Sequence, residues 1–317
     1  MKILITGGTG FLGRLIAERC VERGDTVSLF DIAVPEAGLG VLDGKVDVVS
    51  GDITDAATMQ RVIAGTDAVV HLASMVSAGS EADFDAAMRV NLDGGRVVLE
   101  AARANGPQTK VLFTSSLAIF GGAAMPARVD AMTRPLPQNT YGMTKAVMEM
   151  LINDMSRKGF IDGRVARLPT VIVRPGKPNP AASSFASGVI REPLTGDVCN
   201  LPVDREMALM VGGYRTCISG LMALLDAPAQ KFGDDRVVNL PNLTTTVAEM
   251  IETTGVVAAR HGIALGTIVD SPDPTVRAIV GSWPVAMDAS KARALGCPED
   301  SGLEAIIEDF IADYLAG

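Results

Sequence analysis

The sequence predicts a doubly wound parallel α/β sheet followed by a smaller C-terminal lobe. The N-terminal stretch Met1–Arg14 reads MKILITGGTGFLGR, an apolar run of strand length that breaks at Gly7-Gly8 and leads into a helix-like run from Arg14 to Arg23. Apolar β-branched runs then alternate with helical runs in units of about 25 to 30 residues, and right-handed crossovers of that kind build a parallel sheet. After Pro169 the alternation weakens, with Pro175, Pro178 and Pro180 in one loop. The expected division is residues 1–168 for the sheet domain and 169–317 mainly for the lobe, some later elements returning to the sheet.

Composition narrows the function. A chain of 317 residues, 48% hydrophobic, can bury a substantial core. A net charge of −9 argues against nucleic acid or an anionic membrane as partner, while a small anionic substrate needs only a few local cations. No apolar stretch reaches the roughly 18 residues of a spanning helix. Strand character begins near residue 3 with no basic-then-apolar leader. The cysteines Cys20, Cys199, Cys217 and Cys297 are scattered, as expected of reduced buried thiols in a cytoplasmic protein. His71 and His261 alone give a histidine-based metal site almost no ligands, so no metal is expected, and His71 reads as a packed strand residue.

Gly7, Gly10 and Gly13 stand at three-residue spacing between strand and helix. Glycines there permit a sharp turn and close approach of backbone to ligand, and the helix N-terminus offers free N–H groups to a pyrophosphate. The second strand, Val27–Phe30, ends at Asp31, placed to bind two ribose hydroxyls and to repel a 2′-phosphate. The residues that follow, Ile32, Ala33 and Val34, carry no cation, which favours NAD over NADP. The third strand, 46–50, runs into Gly51-Asp52-Ile53, where Asp52 can reach an adenine amino group, and Thr54-Asp55 opens a helix. The fourth, 68–74, ends at Leu72-Ala73-Ser74 on the ligand side of the sheet. A helix over 84–105 holds Asn91, and a fifth strand, 110–114, ends at Ser115-Ser116. Further on, a helix is expected over 140–158, a sixth strand over 163–168, a short helix ending at Arg191, a helix over 203–225, a strand over 237–241, and helices over 245–261 and 301–315.

Tyr141 and Lys145 carry the chemistry. At i and i+4 they share one helix face. A phenol ionises near about pH 10, and lowering that by about three units takes roughly 4 kcal/mol of preferential phenolate stabilisation. A lysine one turn away and the charge of an oxidised nicotinamide can supply it. A hydroxyl at the end of strand five can share a hydrogen bond with the phenol and the reacting oxygen.

The set Gly7-x-x-Gly10-x-x-Gly13, Asp31, Gly51-Asp52-Ile53, Thr114-Ser115-Ser116 with Ile119-Phe120-Gly121, and Tyr141-x-x-x-Lys145 resembles the extended short-chain dehydrogenase/reductase superfamily, specifically its NAD-dependent epimerase/dehydratase group. The resemblance covers nearly the whole chain. It implies a Rossmann sheet, NAD as cofactor and a Ser116-Tyr141-Lys145 catalytic set, since the family serine lies four residues before the aromatic that is Phe120 here. Phe120 stands where a tyrosine is usual, and Thr144 where a serine is usual. Cofactor contacts are implied at Phe11, Leu12, Leu72, Ala73, Asn91 and Pro169, beside Gly7, Gly10, Gly13, Asp31, Asp52, Ile53, Tyr141 and Lys145, and homodimers are common in the family. The Asp-Glu pair of the dehydratases is missing, because Leu117-Ala118 follows Ser116. The run from Arg167 to Asn179, with Ser183–Gly188 and Arg191-Glu192-Pro193, resembles the D-erythronate dehydrogenase branch, which implies oxidation of a small sugar acid at C2. Hydroxyls in that stretch suit a polyol and arginines a carboxylate, so Ser74, Ser116, Tyr141, Arg174 and Arg191 are the expected substrate contacts. Two other readings stay open: a nucleotide-sugar 4-epimerase, and an NAD(H)-sensing binding module of the same fold.

Overall fold

A computed structural model describes residues 1–177 and 181–315. Pro178, Asn179 and Pro180 of the expected loop lie outside the described residues. The chain runs β1 (Lys2–Thr6), α1 (Phe11–Glu22), β2 (Thr26–Asp31), β3 (Asp47–Ser50), α2 (Ala56–Ile63), β4 (Ala68–His71), α3 (Ser77–Ala82), α4 (Phe84–Ala87), α5 (Gly95–Asn105), β5 (Lys110–Ser116), β6 (Arg128–Val129), α6 (Thr140–Arg157) and β7 (Asp162–Leu168). Beyond Pro169 come β8 (Thr170–Ile172), α7 (Ser184–Leu194), β9 (Cys199–Leu201), β10 (Ala208–Gly213), α8 (Tyr214–Asp226), β11 (Val237–Asn239) and β12 (Leu243–Thr246). The chain closes with α9 (Val247–Arg260), β13 (Ile268–Asp270), α10 (Pro274–Val280), β14 (Ala286–Met287), α11 (Ser290–Ala294) and α12 (Leu303–Tyr314).

Seven strands form one parallel sheet in the order β11-β7-β5-β4-β1-β2-β3. The inner strands are apolar on both faces. Ile3 and Ile5 point into a core shared with α1 and α8, while Leu4 between them packs with Phe30, Val69 and Val98 on the other face. Such strands cannot face water and must be covered by helices on both sides. No helix among the described residues is long and apolar enough to cross a membrane.

The chain over 84–105 is not one regular helix. Between α4 and α5 a π-helical stretch, Met88–Gly94, widens the turn around Asn91. The glycines there sit tight: a Cβ on Gly94 would lie 2.6 Å from the Ile53 side chain, and one on Gly95 2.7 Å from Met148.

The helix expected over 203–225 is corrected by the structure. Ala208–Gly213 is a strand, and helix begins only at Tyr214. It pairs parallel to β8, Val211 beside Thr170, and antiparallel to β12, Ala208 beside Thr246. A short buried apolar run reads alike for helix and strand, so partners elsewhere in the chain decide it. Pro169 marks the switch between sheets: β7 ends in the seven-stranded sheet and β8 enters the three-stranded one. The second hydrophobic cluster gathers Ile172 and Val173 after β7 with α7, α9 and α12. Thr246 caps α9 by accepting from the Glu249 N–H while the Glu249 carboxylate accepts from the Thr246 N–H.

Candidate active site

The glycine turn joins β1 to α1 at the carboxyl edge of the sheet, between β2 and β4. Gly7 has φ of +69° and approaches β4 so closely that a Cβ would sit 2.8 Å from the Ala73 nitrogen. At Gly13 a Cβ would lie 2.5 Å from the Gly7 carbonyl oxygen. Only glycines let helix, turn and strand meet here. No side chain caps α1 at Gly10, so its first N–H groups are left for a ligand, and the positive end of the helix dipole favours an anion. This cradle fits the pyrophosphate of a dinucleotide. Asp31 ends β2 beside it, its carboxylate accepting from the Thr9 N–H at 3.1 Å and the Thr9 hydroxyl at 2.8 Å. Asp52 lies at the end of β3, exposed, and accepts from the Thr54 backbone and hydroxyl at 2.9 and 2.8 Å, which holds its carboxyl below the usual range.

Helix α6 is set by Asn139, whose side chain accepts from the Gly142 N–H at 2.7 Å. Gly142 lets the helix start touch the end of β5, since a Cβ there would lie 2.0 Å from the Ala118 carbonyl oxygen. That contact brings Tyr141 beside Ser116, and both line one cleft. Burial pushes the Tyr141 phenol up, while the Ser116 hydroxyl and the Arg174 guanidinium pull it back. The Lys145 ammonium is buried, donates to the Thr114 carbonyl at 2.8 Å, and lies 5.4 Å from the centre of the Tyr141 ring. Desolvation brings its pKa down to about 7, against the opposing pull of Glu149. His71 is buried on β4 with Nδ1 2.7 Å from the Thr6 hydroxyl, and burial with the nearby Lys145 charge lowers it to about 3, so it stays neutral.

A cleft of about 260 Å³ opens over this pair. Its lining includes Gly7, Gly10, Phe11, Leu12, Gly13, Leu72, Ser74, Ser116, Tyr141, Lys145, Pro169 and Arg174. Twelve scattered positions expected from the sequence thus come together in one cavity. Arg174 brings the cleft a guanidinium, and its backbone N–H donates to the Ser187 hydroxyl at 3.1 Å.

The remaining positions lie off the cleft. Arg191 pairs with Glu192 and donates to the Arg174 carbonyl at 2.6 Å, so its charge is matched and it supports the Arg174 backbone from behind. Asn91 is buried: its side chain accepts from the Met75 N–H at 2.7 Å and donates to the Met75 carbonyl and the Thr144 hydroxyl at 3.1 and 3.3 Å. It ties the chain after β4 to α6. Ala73 sits under Gly7, and Ile53 is packed in the core beside Gly94. Thr170, Val171 and Ser183, from the stretch whose hydroxyls suit a polyol, also line the cleft, as does Trp283, which was not expected. Trp283 comes from the segment after α10, and nothing local in the sequence marks it. Glu149 was equally unmarked, although its place one turn beyond Lys145 is a usable signal.

The chain has counterparts among known proteins. The model of the NAD dependent epimerase/dehydratase family matches residues 3–209, well over half of the chain. The chain belongs to this family. It is an NAD-dependent oxidoreductase. A protein from Cupriavidus necator named D-erythronate dehydrogenase is 44% identical over 99% of this chain and 98% of its own length. A second of that name, from Haemophilus influenzae, is 38% identical over 98% of this chain and 99% of its own length. A solved structure described as a nucleoside-diphosphate-sugar epimerase from Agrobacterium tumefaciens aligns with a TM-score of 0.89 at 36% identity, covering 100% of this chain and 95% of that one. Those relationships establish the family and the fold. They leave the substrate open, because these relatives carry different names.

Proposed function

We propose that the enzyme oxidises a small sugar acid, D-erythronate, at C2 to 2-oxo-tetronate. The observation that carries this reading is one compact cleft holding Ser116, Tyr141, Lys145 and the Arg174 guanidinium beside the glycine turn. A cation opposite the reacting hydroxyl group suits a carboxylate. The two D-erythronate dehydrogenases that align end to end with this chain support the same substrate. Residues 1–168 with returning elements are the cofactor domain in this reading, and 169–317 mainly the substrate lobe.

When bound, NAD supplies the acceptor for the hydride. Ser116 orients the C2 hydroxyl. The Tyr141 phenolate takes its proton as the C2–H bond breaks and C2–O becomes a carbonyl. Lys145 stabilises the phenolate and holds the nicotinamide ribose. Asp31 binds the adenosine ribose, with Asp52 and Ile53 at the adenine and Asn91 holding the cofactor side of the cleft in place. Arg174 takes the carboxylate, Arg191 braces it, and Ser74 contacts the polyol.

The decisive assay is NADH formation with D-erythronate against UDP-sugars. Net NADH with the acid and none with UDP-sugars is expected. Tyr141→Phe should lower kcat by about 100-fold or more, and unchanged turnover in that variant refutes the mechanism. The epimerase reading draws on the Agrobacterium tumefaciens structure. It requires conversion of a UDP-sugar with no accumulated NADH, so the same assay separates the two. The sensing-module reading requires NAD binding without turnover.

A homodimer built on α4, α5 and α6 is part of this proposal. Phe84 and Met150 on those helices are 54% and 65% exposed, and sedimentation at micromolar concentration tests it. The four free buried cysteines suit a reducing compartment, and the cytoplasm is the proposed location.

A further inference from the structure

We infer that Glu149 is a positioning residue for the reaction, a buried carboxylate fixed one turn beyond Lys145 whose charge keeps the catalytic ammonium protonated beside Tyr141. The inference rests on the Ser-Tyr-Lys reading above.

Tyr141, Lys145 and Glu149 follow one another at four-residue spacing along α6 and share a face. Glu149 is 3% exposed. Arg167 on β7 grips it with two hydrogen bonds, Nε to Oε1 at 2.9 Å and Nη2 to Oε2 at 2.7 Å. The same guanidinium donates to the Asn239 side chain on β11 at 3.3 Å and lies 5.0 Å from the Phe120 ring centre. Asn239 in turn donates to the Asp288 carbonyl at 3.1 Å. The carboxylate therefore has little freedom to move.

A buried ion pair is a weak source of stability, because desolvation offsets the Coulomb gain and apolar replacements often hold as well. Its position suggests another use. Around Lys145 stand the Thr114 carbonyl and Phe113 ring of β5, neutral His71 of β4, and Tyr141 on its own helix. Arg174 faces Tyr141 from the loop after β8, and Arg167 on β7 engages Glu149 itself. Glu149 is the one negative group acting on the ammonium among the described residues, and it opposes the desolvation that drives the proton off. Without it Lys145 is neutral over a wider pH range, and the phenolate it supports forms only at higher pH.

The test is the pH profile of kcat/KM for sugar-acid oxidation in the full-length enzyme. The variants are Glu149→Gln, Glu149→Asp, the double variant Glu149→Gln with Arg167→Met, and Lys145→Met. The double variant leaves no unpaired buried charge. The rising limb should move up by about one pH unit in Glu149→Gln and in the double variant, and stay near wild type in Glu149→Asp. A double variant that folds and keeps the wild-type profile overturns the inference, since the pair is then only structural. If the double variant does not fold, equal profiles for Glu149→Asp and Glu149→Gln overturn it instead. Lys145→Met separates the two proposals. A profile it leaves unmoved refutes the Ser-Tyr-Lys reading, whereas one moved by Lys145→Met but not by Glu149→Gln refutes only the role of Glu149.

Discussion

Burial works against both ionisable groups of the Tyr141–Lys145 pair, raising the phenol and lowering the ammonium. The lysine carries a stability signature. Its folded pKa of about 7 lies below the ordinary 10.5, so the unfolded chain holds the proton more tightly. The penalty on folding is complete below about pH 7 and fades as pH rises towards 10.5. Lys145→Met removes it. The variant also leaves the Thr114 carbonyl without its donor, which costs about 1–3 kcal/mol at every pH. Thermal melts should therefore show Lys145→Met faring best against wild type near pH 6 and progressively worse towards pH 10. A difference that does not vary with pH contradicts the buried charge. Arg174 is the second side chain with a defined consequence. Arg174→Ala should raise KM for the acid by about 10- to 100-fold, the worth of a charged hydrogen bond of about 1.5–3 kcal/mol, with a smaller change in KM for NAD. Steady-state kinetics in both substrates check it.

Helix α6 is where local sequence and distant contact meet. Its start near Thr140 and its Tyr-Lys spacing are readable directly. Its distance from β5 is not, because that depends on Gly142 meeting the Ala118 carbonyl. Gly142→Ala forces a shift of the helix start away from Ser116. Activity should fall by about 10-fold or more, since a misplacement of about 1 Å at a catalytic group costs up to about 100-fold. The fold should survive by circular dichroism. Full activity in that variant contradicts the close approach. The same logic explains β10, whose apolar run carries no mark of being strand. Pairing with β8 and β12 decided it. The π-helical stretch at Met88–Gly94 was also invisible, because it comes from packing of Gly94 and Gly95 on Ile53 and Met148 rather than from local preference.

The two halves of the chain are not independent. The core beneath one face of the sheet joins Ile3, Ile5 and Leu29 to Leu221, Leu224 and Leu240. Strand β11 adds the seventh strand beside β7. Unfolding should accordingly be one cooperative transition, with calorimetric and van't Hoff enthalpies in agreement. Leu221 is fully buried in that core, and Leu221→Ala should cost about 2–5 kcal/mol while keeping a single transition. Two separated transitions contradict the shared core.

The sequence by itself determined the parallel sheet, the glycine turn, the acidic end of β2 and the Tyr141–Lys145 spacing. These depend on strand and helix periodicity and on backbone freedom, which act over a few neighbouring residues. Only the tertiary structure decided that Arg174 enters the cleft while Arg191 is matched by Glu192, that Asn91 clamps the backbone at Met75, that Trp283 lines the cleft, and that Glu149 stands against Arg167. Arg191 and Glu192 are chain neighbours, but which of the two arginines reaches the cleft, and what surrounds Asn91, Trp283 and Glu149, is settled by partners that packing brings from elsewhere in the chain.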